Sequence, residues 1–494
     1  MAGAFDADLI VVGCGPVGVT TALLAARRGL RVHAIDRSTE VYDLPRAIVM
    51  DEEIQQVLRD AGVEVDDITT PLVGAEFVRG DGERVTGIEI PPGFVLPSGL
   101  PPAVAYEQPE LEARLRAHAE AAGVAFDLGT EVTDIADDAD GGVVAALAPA
   151  GGAERHVRAR WLVGCDGARS SVRRRRGIAF VDQGFDQRWL VVDTWLRRDV
   201  DLSPFVQQIC APERSVTFVP GHDRRRRFEF LLHDDEADVT MTAPARVADL
   251  LAPWLTPADA EITRAVVYRF HALVAERFRD GSVFLAGDAA HQMPPFNGQG
   301  LCAGLRDAAN LVWKLDLVHR GRAPDALLDT YDAERRPHAE AQVVHSADAG
   351  KLIEAIAGRI DHGDVSDLLD AGYGAGRPFP KLTTGMLVPG PDAVGRPFPL
   401  PILGDGRRTC DVLGSGFALV AADDPRRGVD PAVAARWDEI GARWVAVGDD
   451  PWLAGLLVDD QIALVRPDRY LAAVVRPHDL GRVTDALALD PTSA

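Results

Sequence analysis

Apolar residues crowd at Asp8-Leu9-Ile10-Val11-Val12, and the run breaks at Gly13-Cys14-Gly15-Pro16-Val17-Gly18. An Ala-rich stretch follows as far as Arg28 and Gly29, then a second apolar run, Arg31-Val32-His33-Ala34-Ile35, stops at Asp36. This order predicts strand, glycine turn, helix, strand and terminal acid, with Gly29 ending the helix. A similar punctuation recurs late in the chain. Val283-Phe284-Leu285-Ala286 reads as a buried strand; it meets Gly287-Asp288, His291, the rigid Pro294-Pro295 pair, and then Gly298 and Gly300 opening a helix that runs through Leu311. Between these units, 189–196 and 216–232 read as extended strands. Glu107-Gln108-Pro109-Glu110 reads as a helix start, with proline in the first turn and acids at the positive end of the dipole.

The 372–401 stretch is rich in Gly and Pro, including Pro378, Pro380, Pro389, Pro391, Pro397 and Pro399, and reads as a linker or wrapping arm. Beyond it, Phe417-Ala418-Leu419-Val420, Trp444-Val445-Ala446-Val447 and Gln461-Ile462-Ala463-Leu464-Val465 alternate with helical or turn segments, which implies a further α/β module.

Chemistry enters through the two glycine turns. Glycines at 13, 15 and 18 permit a tight turn and the close approach of a pyrophosphate to a helix N-terminus, and an acid about 20 residues on, here Asp36, can hold ribose hydroxyls. The backbone amides that start the second helix converge on one spot with a helix dipole behind them. Such a cluster suits an electron-rich group such as the N1/C2=O edge of a reduced flavin, while Asp288 can accept hydrogen bonds from a polyol or ribose hydroxyl. Only one dinucleotide unit is evident. A nicotinamide enzyme has no evident use for the Asp288 segment, whereas a flavoprotein uses both turns.

A third element, Cys165-Asp166-Gly167-Ala168-Arg169-Ser170-Ser171-Val172-Arg173, completes an ordered set of three. With it the chain resembles the class A FAD-dependent aromatic hydroxylases of the p-hydroxybenzoate hydroxylase fold. Leu44-Pro45-Arg46-Ala47, Met50-Asp51-Glu52, Gln187-Arg188-Trp189-Leu190-Val191-Val192-Asp193, the 328–337 stretch and Val465-Arg466-Pro467-Asp468-Arg469-Tyr470 are similar to the branch containing 3-(3-hydroxyphenyl)propionate hydroxylase. The tail pattern is shared with polyketide-tailoring hydroxylases, so that substrate class stays open beside a 3-(3-hydroxyphenyl)propionate-like acid.

The resemblance implies an α/β fold: a Rossmann-like FAD domain from 1–74, 102–180 and 280–358, interleaved with a mixed-sheet substrate domain from 75–101 and 181–279. A linker or arm at 359–401 and a thioredoxin-like module at 402–494, without C-x-x-C, complete it. It implies hydroxylation of a phenol with NADH or NADPH and O2 through a flavin C4a-hydroperoxide. The cofactor-binding set it implies is Gly13, Gly15, Gly18, Asp36, Arg37, Arg46, Gln108, Val132, Asp166, Asp288, Pro295, Gly298, Gln299, Gly300, Leu301 and Cys302. Pro295, whose carbonyl would approach the substrate ring, and Arg46, near the FAD phosphates or the flavin's path of movement, are the expected catalytic residues. Trp189, Phe218, Phe228, Phe230 and Tyr268 are candidates to line a ring pocket. His291, His271 and Tyr268 are titratable groups in or upstream of the second turn; none is assigned as a base, since a base is defined by its reach to the proton.

Composition narrows the alternatives. The 494 residues, 47% apolar, suffice for two or three domains. No charged leader with an apolar core opens the chain, and no run of 18 apolar residues occurs, so a cytoplasmic protein with no membrane partner is expected. Cys14, Cys165, Cys210, Cys302 and Cys410 are scattered without metal-site spacing, so no metal is expected. A net charge of -23 opposes nucleic-acid binding despite the runs Arg173–Arg176 and Arg224–Arg227. If Arg225 or Arg227 faces inward it could clamp a substrate carboxylate. The expected partners are a small aromatic substrate and O2; a homo-oligomer stays open. A flavin-dependent reductase and a noncatalytic flavin-binding or partner-binding protein are the competing classes.

Overall fold

The computed structural model describes residues 5–41, 44, 46–359, 365, 380–458 and 460–487. Pro45 of the Arg46 motif, and Pro378 with most of the 360–379 stretch, lie outside the described residues.

The first of four sheets has eight strands. Its parallel core runs Val283–Leu285, Arg155–Gly164, Ala7–Val12, Val32–Asp36, Ala125–Leu128, in register Leu9 with Trp161 and Val11 with Ala34. Leu9, Ile10 and Val11 are wholly buried, as expected where both faces of a parallel sheet are covered. Helix Pro16–Arg27 lies on this sheet against helix Gly300–His319. The approach demands glycine: a Cβ on Gly304 would fall 2.5 Å from Val17 Cγ2.

The second sheet also has eight strands, ordered His291–Gln292, Ala260–Ala275, Phe180–Leu196, Arg225–Leu231, Val216–Pro220, Val206–Cys210, Gly74–Arg79, Arg84–Glu89. Phe180–Leu196 and Ala260–Ala275 form a long antiparallel pair toward its His291–Gln292 edge. Strand alternation splits it into two chemically different faces. On the outer face Leu190, Val192, Phe218, Phe228 and Phe230 pack with Val247, Leu251 and Trp254 from the helical segment beyond. On the inner face stand Trp189, Val191 and Asp193, opposed by Leu231, Glu229 and Arg227. Strands Val49–Asp51, Ala103–Tyr106 and Thr69–Pro71 make a small third sheet.

The last sheet runs Arg443–Ala446, Ala418–Ala421, Ile462–Val465, Leu471–Val475, the first pair parallel and the others antiparallel. Residues of the 380–401 arm run beside it, with Val388 N donating to Ala472 O and Phe398 N to Arg469 O. The module is fixed to the two long helices, Gly300–His319 and Asp329–Gly358, by buried charge. Glu334 accepts from Arg466 Nη2 (2.7 Å), Lys314 Nζ (2.8 Å) and Asn310 Nδ2 (2.7 Å), and Arg466 also meets Asp468. Burial pushes the Glu334 carboxyl up, but Arg466 and Lys314 outweigh it and hold the pKa down at about 2. The Arg-Pro-Asp-Arg-Tyr stretch is thus a docking device: Arg466 meets Glu334, Arg469 meets Asp60, and the Tyr470 hydroxyl donates to Glu53. No helix among the described residues is long and apolar enough to cross a membrane.

Candidate active site

The Gly13–Gly18 turn is shaped by contact on one side and space on the other. Gly13 adopts φ +101°, and a Cβ there would lie 2.4 Å from Cys165 O; a Cβ on Gly18 would lie 1.8 Å from Gly13 O. Gly15 has open space beside it and precedes the helix without any side-chain cap. The first amides of that helix therefore face a clear volume, which suits a pyrophosphate. At the end of the second strand, Asp36 Oδ2 accepts from Cys14 N (2.6 Å) and Oδ1 from Ser38 N (2.8 Å), so the acid is locked against the turn. Arg37 is exposed beyond it. The side chain of Val132 lies in the hydrophobic core, which leaves only its backbone available to a ligand.

Gln108 and Asp166, both expected at the cofactor, spend their hydrogen bonds on the protein. Gln108 Oε1 accepts from Arg46 N (2.8 Å) and Ala47 N (2.7 Å), and its Nε2 donates to Glu112 (2.6 Å). It thereby fixes the loop that presents the exposed Arg46. Asp166 caps the short helix Ser171–Arg175, accepting from Ser171 N (2.6 Å) and Val172 N (3.1 Å). The Asp-Gly turn touches the glycine turn through Cys165 and the late turn through Gln292 Nε2, which donates to Ala168 O (3.0 Å).

At the late turn, Asp288 is open to water yet closely ringed by protein, so burial pushes its carboxyl pKa up, opposed by His291 and Arg46. The carboxyl therefore faces open space bordered by the late turn and the Arg46 loop. His291 lies beneath, its Nε2 2.7 Å from Asp307 Oδ2, and Asp307 also accepts from Arg335 Nε and Gly287 N. His291 is buried within the turn, held through Nε2 by Asp307. Pro295, Gly298, Gly300 and Leu301 remain partly open, and helix Gly300–His319 begins without a side-chain cap, so its amides too face outward. Cys302 is buried, its Sγ 3.6 Å from Gly298 O. Gln299 is buried with its side chain turned into a network that the sequence reading missed: Gln299 Nε2 donates to Asp51, while Arg306 donates to Gln299 Oε1 (3.0 Å), Asp51 (2.7 Å) and Glu53 (2.6 Å).

The inner face of the second sheet lies against this turn. Phe296 meets Trp189 edge-on, with centroids 5.2 Å apart, and also Phe270 and Phe185. Tyr268 stacks on Phe270, and the Arg264 guanidinium lies over the Tyr268 ring. Trp189 and Tyr268 are therefore on the face toward the late turn. Phe218, Phe228 and Phe230 are not: they sit on the outer face, and the expectation that they line a ring pocket is corrected, since strand alternation turns them into the Trp254 core. The carboxylate clamp is corrected as well. Arg227 faces inward but is bound to Asp193 (2.7 Å) and to Arg46 O (2.6 Å), and Arg225 pairs with Glu107 (2.5 Å). His271 sits at the sheet margin near Asp186, away from Phe296.

Two turns of uncapped amides, the open space beside Gly15 and the exposed Asp288 of the late turn fit an extended dinucleotide cofactor. The comparisons agree. The FAD binding domain family matches residues 6–346. The 3-(3-hydroxy-phenyl)propionate/3-hydroxycinnamic acid hydroxylase of Mycolicibacterium smegmatis is 34% identical over 488 residues, covering 94% of this chain and 85% of that protein. A probable NADH-specific resorcinol 4-hydroxylase of Rhodococcus jostii is 33% identical over 509 residues, covering 96% of this chain and 93% of that one. The crystal structure of aklavinone-11 hydroxylase with FAD and aklavinone superposes with a TM-score of 0.82 at 25% identity over the full length of both chains. With the matched glycine turn, Asp-Gly turn and late turn all within one fold, the chain belongs to the FAD-dependent aromatic hydroxylases.

Proposed function

We propose that the substrate is a compact phenol, bound ring-first against the Trp189 and Tyr268 face beside Pro295, and hydroxylated with NADH or NADPH and O2. One observation favours a neutral ring end: the inward guanidinium of Arg227 is already matched by Asp193, and Arg225 by Glu107, so neither serves as the clamp for an acid tail of the 3-(3-hydroxyphenyl)propionate kind. The relatives' names support both a phenyl-propionate and a resorcinol type of ring.

Bound FAD supplies the redox chemistry, taking a hydride from the nicotinamide and passing an oxygen atom from O2 to the ring. The protein's part is binding and orientation. Gly13, Gly15 and Gly18 would take the pyrophosphate, Asp36 the adenosine ribose, Asp288 the ribityl chain, and the amides of Gly298 to Cys302 the isoalloxazine. Gln108 would act through the Arg46 loop, and Gln299 through the Asp51–Arg306 network. Phe296 and Trp189 would wall the ring from water, which favours product over peroxide. We assign the FAD domain to 1–74, 102–180 and 280–358 and the substrate domain to 75–101 and 181–279, a division supported by the two large sheets. We read the 402–494 module as thioredoxin-like, as the branch resemblance implies; Cys410 has no second cysteine beside it for thiol exchange, and docking through Arg466 supports a structural role.

Oxygen uptake and product analysis with resorcinol and 3-(3-hydroxyphenyl)propionate, each with NADH and NADPH, tests this. A hydroxylated product matching NAD(P)H consumed is expected, with resorcinol the better coupled. Steady NAD(P)H oxidation yielding only peroxide from every phenol would reject the reading.

A further inference from the structure

Midway along strand Arg225–Leu231 stands a carboxyl that none of the contacts above uses. Glu229 is 4% exposed, and among the described residues no donor hydrogen-bonds to its carboxyl oxygens. Those oxygens are nonetheless absent from the fully enclosed polar atoms, so they reach water-accessible space. An ionisable group left without a hydrogen bond in a protein interior is costly, and such groups concentrate where a ligand completes them.

Its position is defined by its neighbours on the inner face. Glu229 is cross-strand from Val191 on one side and from Thr217 on the other. The Thr217 hydroxyl is spent on Gln208 Oε1 (2.6 Å). Two residues along in one direction, Leu231 opposes Trp189, which carries Phe296 of the late turn; two in the other, Arg227 reaches Arg46 O. Glu229 thus lies between the two segments that border the flavin end of the cleft. Diagonal neighbours across a sheet are about 7–8 Å apart. Glu229 and Trp189 are such a pair, so their side chains rise from the same patch of the inner face.

We propose that Glu229 is the substrate-contacting group that accepts the hydrogen bond of the ring hydroxyl and, when ionised, takes its proton. In that step the phenol O–H bond breaks and a carboxyl O–H bond forms, with no change of oxidation state. The electron pair left on the phenolate oxygen enriches the ring carbons ortho and para to it for oxygen transfer. The proposal rests on the aromatic-hydroxylase reading above and names the residue that activates the ring.

The charged groups facing Glu229 support the role. Asp193, from Phe180–Leu196, is shared by Arg227 and by Arg264 from Ala260–Ala275. Burial raises the Glu229 pKa, Arg227 and Arg264 lower it, Asp193 raises it, and the balance leaves it at about 7. A base poised near neutrality suits proton transfer from a phenol.

Glu229→Gln keeps the shape and removes the ionisation. With resorcinol as probe, wild-type holoenzyme is expected to show the phenolate difference absorption on binding, rising through pH 7, and a matching acid limb in kcat/KM. The variant is expected to bind FAD, lose both signatures, and form hydroxylated product about a hundredfold more slowly. An unchanged product rate and pH profile in Glu229→Gln would overturn the proposal. If that variant takes up no FAD, Glu229→Asp and the wild-type difference spectrum decide: neutral resorcinol bound at pH 8 overturns it. Wild-type enzyme that hydroxylates no phenol would instead reject the functional reading itself, and this proposal with it.

Discussion

The two faces of the second sheet are built by the same strands, and in Arg225–Leu231 by alternate residues of one heptapeptide. Phe228 and Phe230 turn outward into a dry core with Trp254; Arg225, Arg227 and Glu229 turn inward to Glu107, Asp193 and the cleft. The outer face gains stability from burial, and the inner face sacrifices some of it to keep charge and a carboxyl beside the proposed ring site. Placing function on one side of a strand and stability on the other lets each vary without the other, since neighbouring residues point opposite ways.

The sharpest way to break the comparison is Phe228→Ala. The side chain is wholly buried between Phe218, Phe230 and Trp254. A loss of about 3–5 kcal/mol by denaturant unfolding is expected, while folded protein keeps its product-to-peroxide ratio. A ratio that fell in step with Phe228 truncation would put this residue back in the pocket.

Glu229→Gln should do the reverse on the inner face. The carboxyl's folded pKa, about 7, stands above that of an unfolded glutamate, so the fold favours the protonated form. Its favourable contribution is full below the unfolded pKa and is lost as pH rises through 7. The glutamine variant should therefore match wild type near pH 3.5 and exceed it by up to about 3 kcal/mol at pH 8.5. A more stable, less active enzyme is the expected signature; equal stability at both pH values would show that Glu229 titrates normally.

The smallest effect tests the edge of the face. Tyr268 is half-buried, held by Phe270 and Arg264. Tyr268→Ala should leave FAD bound and cost roughly 1 kcal/mol of ring positioning, about a fivefold rise in peroxide per product. Stopped-flow reduction and peroxide assay read it, and unchanged coupling would confine the ring to Trp189 and Glu229.

Much of the site was legible because its signals are local. The spacing of Gly13, Gly15 and Gly18, the acid at Asp36, and the Pro-Pro-then-glycine turn after Asp288 each follow from the backbone geometry of a few consecutive residues. The alternation Arg227-Phe228-Glu229-Phe230 was also visible, and it says that these residues lie on two faces. Alternation has two equivalent parities, so it could not say which face meets the cleft, and it left both the arginines and the phenylalanines as candidates to face inward. Only the docking of helices 238–251 on one side and the Phe296 turn on the other decided that. The partners of Gln299 and Arg306 lie some 250 residues away at Asp51 and Glu53, and Arg466 finds Glu334 132 residues upstream. Pairings of that span depend on how whole elements pack, and no short window of sequence contains the forces that choose them.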